Sequence, residues 1–511
     1  MEIPILTLLI LVPLIGAAAT FFLRGDSVKL AGTLTTAIVV ALSFKALLMY
    51  DSANPNIQLI EHHEWIPSVG ITYTLGVDGI SIAMILLTAV VSLAAILYAY
   101  GTQKRINHLF SMLLLTEAGL IGVFTAMDFF LFYVFWEIVL IPLYFVINIW
   151  GEKHRKYASI KFLIYTHVGS VIMLLGIFAI YFLGGMDNFM MIEMLNDGTG
   201  KIINAELLGI DTALIPYIFL AIFFGMAVKM ALVPFHTWCP DAYLNAPTAG
   251  TIMLAALLSK MGAYGMIRIC VMMFPGTTVD YSFILLIFAV VTMIYGAMLA
   301  LAQVDFKKLL AYSSISHVGY IMLGIAAVNA IGMQGAVFQM FNHGLVIGLL
   351  FIGIAVIKQN AGTRIIDELG GIVKKMPLLV SFIMVGIFAT IGLPGLCTFV
   401  SEVLVYMGVF KTYFPFETLE LTKEAVVVLL SALTILITIG YALFAAQRAL
   451  FGPYNEGLED TMEVREVDKN YILIPLIVLS SLIIIVGLMP HLVLDIFNST
   501  AEQIGALLIR P

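Results

Sequence analysis

Charge is what this sequence has least of. Only 11% of its 511 residues are Asp, Glu, Lys or Arg, where an average soluble domain carries about 25%. So few charges cannot cover a water-facing surface, and the 61% hydrophobic content belongs in a bilayer. Cysteine is nearly missing as well. Cys239, Cys270 and Cys397 lie far apart with no CxxC pair, which excludes an iron–sulfur cluster or a structural zinc site built by this chain. No GxGxxG opens a helix after a strand, and no GxxxxGK[ST] occurs. Electron transfer and nucleotide hydrolysis are therefore not done by this chain alone. A formal net charge of −7 argues against nucleic acid as a partner.

What is present predicts an all-α polytopic membrane protein. A crossing helix needs about 20 mostly apolar residues. Fourteen stretches qualify: 3–23, 28–50, 78–100, 109–127, 129–150, 160–183, 213–236, 248–270, 281–302, 308–329, 331–357, 377–410, 424–447 and 471–495. The first carries Ala17-Ala18-Ala19 but has Glu2 in place of a basic flank, so it reads as a retained anchor and not a signal peptide. Sixteen Lys and Arg fall on the loops after odd-numbered spans, Arg24, Lys104, Lys153, Lys307, Lys358, Arg448, Arg465 and Lys469 among them. Five (Lys201, Arg268, Lys411, Lys423 and Arg510) fall on the other side. The positive-inside rule then puts the richer face in the cytoplasm of a bacterial inner membrane and both termini outside. Residues 51–77, with His62, His63 and Glu64, read as a solvated outer loop, and 184–212 as another. The stretch 448–470 reads as an acidic inner loop, and Asp305-Phe306-Lys307-Lys308 as a solvated turn.

Ionisable residues stand where the bilayer should be. A Lys, Asp or Arg at the centre of a span costs about 2.5–3.5 kcal/mol on insertion scales. Here Glu117, Glu137, His167, Lys229, His236, Lys260, His317, His343 and Glu402 are spread from span four to span twelve. One buried pair could be a staple between helices; nine groups point to a path for protons. Burial disfavours the charged form of Lys and Glu alike and brings both toward neutral pH, where His already titrates.

Two spans carry breaks. Pro234 cannot donate to the Met230 carbonyl, one residue after Lys229, and Gly392-Leu393-Pro394-Gly395 interrupts the stretch that runs on to Glu402. A packing kink would explain either break alone. An ionisable residue beside each favours the interrupted spans of an ion site. The breaks fall in spans seven and twelve, five apart. That predicts two five-helix repeats, spans 4–8 and 9–13, the second inverted because five is odd. The corresponding divisions are 1–108 (three helices and the outer loop), 109–270 and 281–450 (the two repeats) and 451–511 (inner loop and last helix). Tyr165-Thr166-His167 and Phe341-Asn342-His343 echo each other in register, whereas Ser316-His317-Val318-Gly319 echoes the first out of register.

Several motifs resemble the antiporter-like membrane subunits shared by respiratory complex I and multisubunit cation/proton antiporters. They are Leu75-Gly76-Val77-Asp78-Gly79, Phe135-Trp136-Glu137 with Ile141-Pro142, and Lys161-Phe162-Leu163-Ile164-Tyr165-Thr166. The densest run lies at 225–265, through Lys229, Pro234-Phe235-His236-Thr237-Trp238, Ala246-Pro247-Thr248-Ala249-Gly250 and Lys260-Met261-Gly262-Ala263-Tyr264-Gly265. Ser313-Ser314-Ile315-Ser316-His317 and Asn342-His343-Gly344 continue it, so the likeness covers roughly 75–450. Glu402 after the second break, and an end after fourteen spans with no long lateral helix, look most like M-type members. The resemblance implies that Glu137 pairs with Lys229, that Lys260 and the histidines carry a central hydrated axis, and that Glu402 terminates it. It also implies FMN, iron–sulfur clusters and quinone in partner subunits, with no cofactor in this chain. L-type, N-type and small hydrophobic subunits, a redox arm and lipids are the expected partners. Tyr243 and Asn245 stand where the family often has His and Glu, Leu396-Cys397-Thr398 where it has small hydroxyl residues, and His167 where Gln is common. The expected function is proton translocation coupled to NADH:quinone electron transfer. A subunit of a gradient-driven sodium/proton antiporter is the alternative, and a passive scaffold a third reading.

Overall fold

A computed structural model describes residues 4–191, 208–415, 421–453, 455 and 470–509. Glu2, Lys201, Arg465, Lys469 and Arg510, used above for orientation, lie outside the described residues, as do most of 448–470 and part of 184–212.

The described residues form fourteen crossings. Spans one to six are Ile5–Phe22, Asp26–Met49, Gly79–Gly101, Ile106–Thr125, Phe129–Trp150 and Arg155–Leu183. Span seven is split into Ile215–Met230 and Trp238–Asn245. Spans eight to eleven are Thr248–Val271, Ser282–Leu301, Phe306–Ala326 and Ala330–Ala361. Span twelve is split into Pro377–Thr390 and Cys397–Tyr413. Spans thirteen and fourteen are Lys423–Phe451 and Asn470–Leu488. Polar residues mark where the chain turns back into the apolar slab. Asp78, Asp128, Asp305, Asn329 and Thr422 each accept a hydrogen bond from the first turn of the helix they precede, satisfying donors that an apolar surrounding would leave orphaned.

Spans 4–8 and 9–13 repeat one order: three continuous helices, a broken one, a continuous one. The innermost helices are eight, ten and eleven, almost wholly buried, while in one, two, nine, thirteen and fourteen no more than half of the residues are buried. These three innermost spans carry Lys260, His317 and His343.

The outer loop expected at 51–77 is a β-hairpin. Strand β1 (Gln58–Ile66) pairs antiparallel with β2 (Ile71–Val77). Because β2 is buried on nearly all of its length, it shows no alternation of apolar and polar residues for a sequence reading to catch. The last span is shorter than expected. It ends at Leu488, and after Met489-Pro490 a separate helix, His491–Leu507, buries Val493, Ile496, Phe497, Thr500 and Ile504 along one face. Thr500 Oγ1 accepts from the Gly79 N–H at 3.3 Å, and the Leu6 and Thr7 N–H groups donate to Glu61 of β1 at 2.8 and 2.9 Å. The first turn of span one and the last described helix therefore lie on the hairpin's face.

Two charged segments differ from expectation. Arg268 is no loop residue: it lies buried in span eight, with Nη2 2.6 Å from Asp78 Oδ2. Asp305-Phe306-Lys307-Lys308 is not simply solvated either. Lys307 is 6% exposed and donates to the carbonyls of Leu244 and Ala246. Asp305 holds Arg364 at 2.6 Å, and Arg364 holds Glu152 at 2.7 Å. Lys358 is 3.0 Å from the same Glu152 carboxylate. This knot ties the loop after span five to spans ten and eleven on the face opposite the hairpin. Burial pushes the Glu152 carboxyl up, but the hydrogen bond from Arg364 and the charges of Lys307 and Arg364 outweigh it and hold the group below its ordinary range.

Candidate functional site

The broken spans place their charged residues by ending helices in the middle of the protein. Span seven's first half stops at Met230 because Ala231 takes the left-handed conformation, φ 66°. The break therefore begins three residues before Pro234, earlier than the missing proline N–H implies, and Pro234 lies in the link. Lys229 sits in the last turn, where the helix dipole favours a cation. In span twelve the break runs from Ile391 to Leu396, with Gly392 and Gly395 at φ 71° and 92°, Pro394 between them. Both glycines occupy backbone conformations that other residues seldom adopt.

Span eight is wound unevenly. Wide turns of the i→i+5 kind at Leu254–Leu258 and Met266–Val271 bracket Lys260, a distortion frequent at functional sites. Lys260 is fully buried, and its ammonium reaches the Ala255 carbonyl at 2.7 Å, Ser259 Oγ at 3.3 Å and His343 Nδ1 at 2.7 Å. Two residues on, Gly262 lies against the backbone of Lys229 and Met230, so closely that a Cβ would come within 2.6 Å of the Met230 nitrogen.

From Lys260 the ionisable groups form a row. The His343 and His317 rings are 5.3 Å apart. His317 Nδ1 stands 3.3 Å from Gln339 Nε2 and 3.9 Å from Glu402 Oε1. Around the Glu402 end, Ser401 donates to Gln339, and Asn342 donates to the Cys397 carbonyl at 2.8 Å. Glu402 borders a cavity of about 810 Å³ lined by Gly392, Phe399, Tyr406, Phe410 and Lys411. Spans eight, eleven, ten and twelve thus bring four of the nine expected residues into one line. Ser259, Gln339 and Ser401 complete the line without having been anticipated; ordinary hydroxyl and amide residues in an apolar helix carry no distinguishing pattern.

The other five stand apart from that row. Glu137 Oε2 is 2.9 Å from His167 Nδ1 and makes no direct hydrogen bond to Lys229. Lys229 is 1% exposed, has no hydrogen-bond partner, and lies 4.9 Å over the Trp136 ring. His236 packs edge-on against Tyr295 with its Nδ1 unpartnered. Glu117 is fully buried with neither carboxyl oxygen hydrogen-bonded. Of the departures noted in the sequence, Tyr243 donates to the Leu254 carbonyl inside the first wide turn at 3.1 Å. Asn245 accepts the His154 N–H on its side chain and the Glu152 N–H on its carbonyl. His62 bonds Thr74 within the hairpin, and among the described residues no cluster of three His, Cys, Asp or Glu could hold a metal ion.

Known proteins share both sequence and shape with this chain. F(420)H(2) dehydrogenase subunit M of Methanosarcina mazei is 40% identical, with 99% of each chain covered. NADH-quinone oxidoreductase subunit M of Rickettsia conorii is 33% identical, again over 99% of each. A chain of respiratory complex I from Thermus thermophilus superposes with a TM-score of 0.85 at 25% identity, covering 99% of this chain and all of that one. A chain of the Mrp complex from Dietzia sp. gives 0.84 at 21% identity over the full length of both, a likeness of fold alone. Residues 126–427, from the end of span four into span thirteen and so across both breaks and the whole ionisable row, match one family profile. The chain belongs to the NADH:quinone oxidoreductase/Mrp antiporter transmembrane family.

Proposed function

We propose that this protein is a proton-translocating, antiporter-like subunit in the membrane arm of an NADH:quinone oxidoreductase of a bacterial inner membrane, its termini on the outer side. The observation that carries the proposal is the row Lys260–His343–His317–Glu402, held across four spans at separations of 2.7, 5.3 and 3.9 Å. Every member can gain and lose a proton, and the gaps are short enough for direct transfer or for one bridging water. Redox work in partner subunits, which would hold the FMN, iron–sulfur clusters and quinone, shifts charge at Glu137. Lys229 responds, and the proton on Lys260 moves through the histidines to Glu402 and out. One charge moved against 100 mV costs about 2.3 kcal/mol, within reach of rearranging a single buried ion pair. This chain supplies the path and no redox chemistry. L-type, N-type and small hydrophobic subunits and lipids surround it.

Identity of 40% to the F(420)H(2) dehydrogenase subunit, against 33% to the Rickettsia conorii relative, favours a second reading of the donor alone: reduced F420 in place of NADH. The test is the purified intact assembly in proteoliposomes, given NADH or F(420)H(2) with a quinone. The donor that drives internal acidification is the physiological one. Glu402→Ala and Lys229→Ala should then leave the assembly intact and abolish most of the acidification. Wild-type pumping by an intact Glu402→Ala assembly would overturn the role of the row.

A further inference from the structure

A threonine hydroxyl inside a span has a ready acceptor in the carbonyl one turn back. Thr88, Thr116, Thr166, Thr292 and Thr390 use it, at 2.7, 2.8, 2.7, 2.6 and 2.9 Å. Thr434 and Thr438 of span thirteen do not. Both are buried, and neither hydroxyl has a hydrogen-bond partner, although Thr438 faces Tyr441. Between Val428 and Tyr441 the buried face of this helix is Ser431, Thr434, Thr438 and Tyr441, and every one of them bears a hydroxyl. Residues three and four apart line up on a helix, so the four form a stripe. It turns inward, where span thirteen packs against span nine and both halves of span twelve, while Leu429, Leu433 and Leu436 are exposed. Alanine or valine would serve for packing alone.

Each end of the stripe meets something polar. At one end Tyr441 borders a cavity of about 110 Å³ with Val304, Ile366, Asp367 and Arg448, beside the Asp305–Arg364 contact on the face opposite the hairpin. The Tyr441 hydroxyl is 2.7 Å from Ser313 Oγ of span ten, and Ser313 lies one turn before His317 on the same helix. At the other end Tyr406 donates to the Ser431 carbonyl at 3.0 Å. Tyr406 follows Glu402 by one turn and borders the same large cavity. Its ring is 6.0 Å from that of Tyr320, which stacks on His317 at 5.7 Å. From Ser431 to Tyr441 the stripe covers about 15 Å of helix.

We propose that this stripe is a water path by which protons reach Glu402 from the face opposite the hairpin, along span thirteen and without passing Lys260. Waters held by Thr434 and Thr438 join the cavity beside Asp367 and Arg448 to the cavity at Glu402. A hydroxyl is both donor and acceptor, as water is. A proton arriving on one oxygen therefore sends another on from its far side, and no charge is left behind. Neighbouring residues on a helix face stand about 5–6 Å apart at their Cβ atoms, a gap that one bridging water closes. Buried water needs about two to four polar partners, and the two unpartnered hydroxyls with Tyr441 supply three.

The inference rests on the function proposed above, and two measurements on the intact assembly separate the two. The first needs no electron donor: a cryo-electron microscopy map that resolves ordered water. Waters against Thr434 and Thr438, and in the cavity by Asp367, are the result expected; a dry stripe overturns the path. The second compares variants in proteoliposomes energised by the donor that drives the wild type. Thr434→Val with Thr438→Val nearly keeps the shape and removes both hydroxyls. It should slow acidification at least about fivefold, the size of one lost hydrogen bond. Thr434→Ser with Thr438→Ser keeps the hydroxyls and removes two methyl groups, and should pump within about twofold of the wild type. An intact valine pair that pumps like the wild type would sink the path, since its waters would then be structural. A serine pair slowed as much as the valine pair would assign the effect to packing, with the same consequence. Failure of the wild type to acidify with either donor would count against the proposed function, and the map would still decide whether the stripe is wet.

Discussion

The Lys260 ammonium lies 2.7 Å from His343 Nδ1, across the contact between spans eight and eleven. When Lys260 is charged it has donors only, so Nδ1 then carries the lone pair and the ring's proton sits on Nε2, the nitrogen left without a partner. His343 can therefore receive a proton from Lys260 on one side and release one from the other toward His317. His343→Ala should reduce coupled proton translocation at least about tenfold, roughly 1.4 kcal/mol, with the assembly intact on native gels. Acidification assays on that variant check it, and an unchanged rate would place the path elsewhere.

The carboxylate of Glu402 rests on a residue with no side chain. A Cβ on Gly392 would meet Glu402 Oε2 at 2.5 Å, and its φ of 71° already favours glycine. Gly392→Ala should cost about 1–3 kcal/mol of stability and move Glu402 off the end of the row, so that pumping falls with it. Gly440, in span thirteen with open space where a Cβ would go, supplies the control: Gly440→Ala should alter neither.

On the face opposite the hairpin, Glu152 gathers Arg364, Lys358 and Lys307 at 2.7, 3.0 and 3.7 Å. A carboxyl held low in the fold adds stability that is full above its ordinary range and disappears as pH falls through the lowered value. Glu152→Gln should lower the thermal midpoint at pH 7, and the gap from wild type should close toward about pH 3, below the ordinary carboxylate range. Melting curves at the two pH values decide. A gap that persists in acid would mean that Glu152 acts by packing, not by charge.

Glu117 has no partner for either oxygen in an interior position. A buried polar group left unsatisfied costs about 1–3 kcal/mol, so Glu117→Leu should raise the melting midpoint of the assembly. If the residue stores a proton, the same variant should pump more slowly. Stability and pumping measured on one preparation separate these effects, and a variant that is no more stable contradicts the first.

Much of the fold was legible because the bilayer acts on composition. Fourteen crossings, both broken spans and the two-fold order of the repeats follow from apolar length and from glycine and proline in the wrong places. Where the fold escaped the reading, the pattern was hidden by burial or by water. Strand β2 is buried on almost every residue, and the helix after Pro490 is amphipathic, lying along the protein without crossing. Of the site, the nine ionisable residues stood out because charge in a lipid-facing helix is expensive. Their hydrogen-bond partners did not: the 2.9 Å contact between Glu137 and His167 joins residues thirty positions apart in different spans.

Sequence by itself thus determined that this is a multi-span membrane protein of the antiporter-like family with acids, lysines and histidines in its interior. Each of those features is a property of a segment or a motif, set by the cost of leaving polar groups in hydrocarbon. Only the tertiary structure decided that Lys260, His343, His317 and Glu402 form one row, that Lys229 stands unpaired over Trp136, and that Glu117 is alone. Ion pairs and hydrogen bonds act over a few ångströms between helices far apart in the chain. Which groups meet depends on how the spans pack, which no single segment encodes.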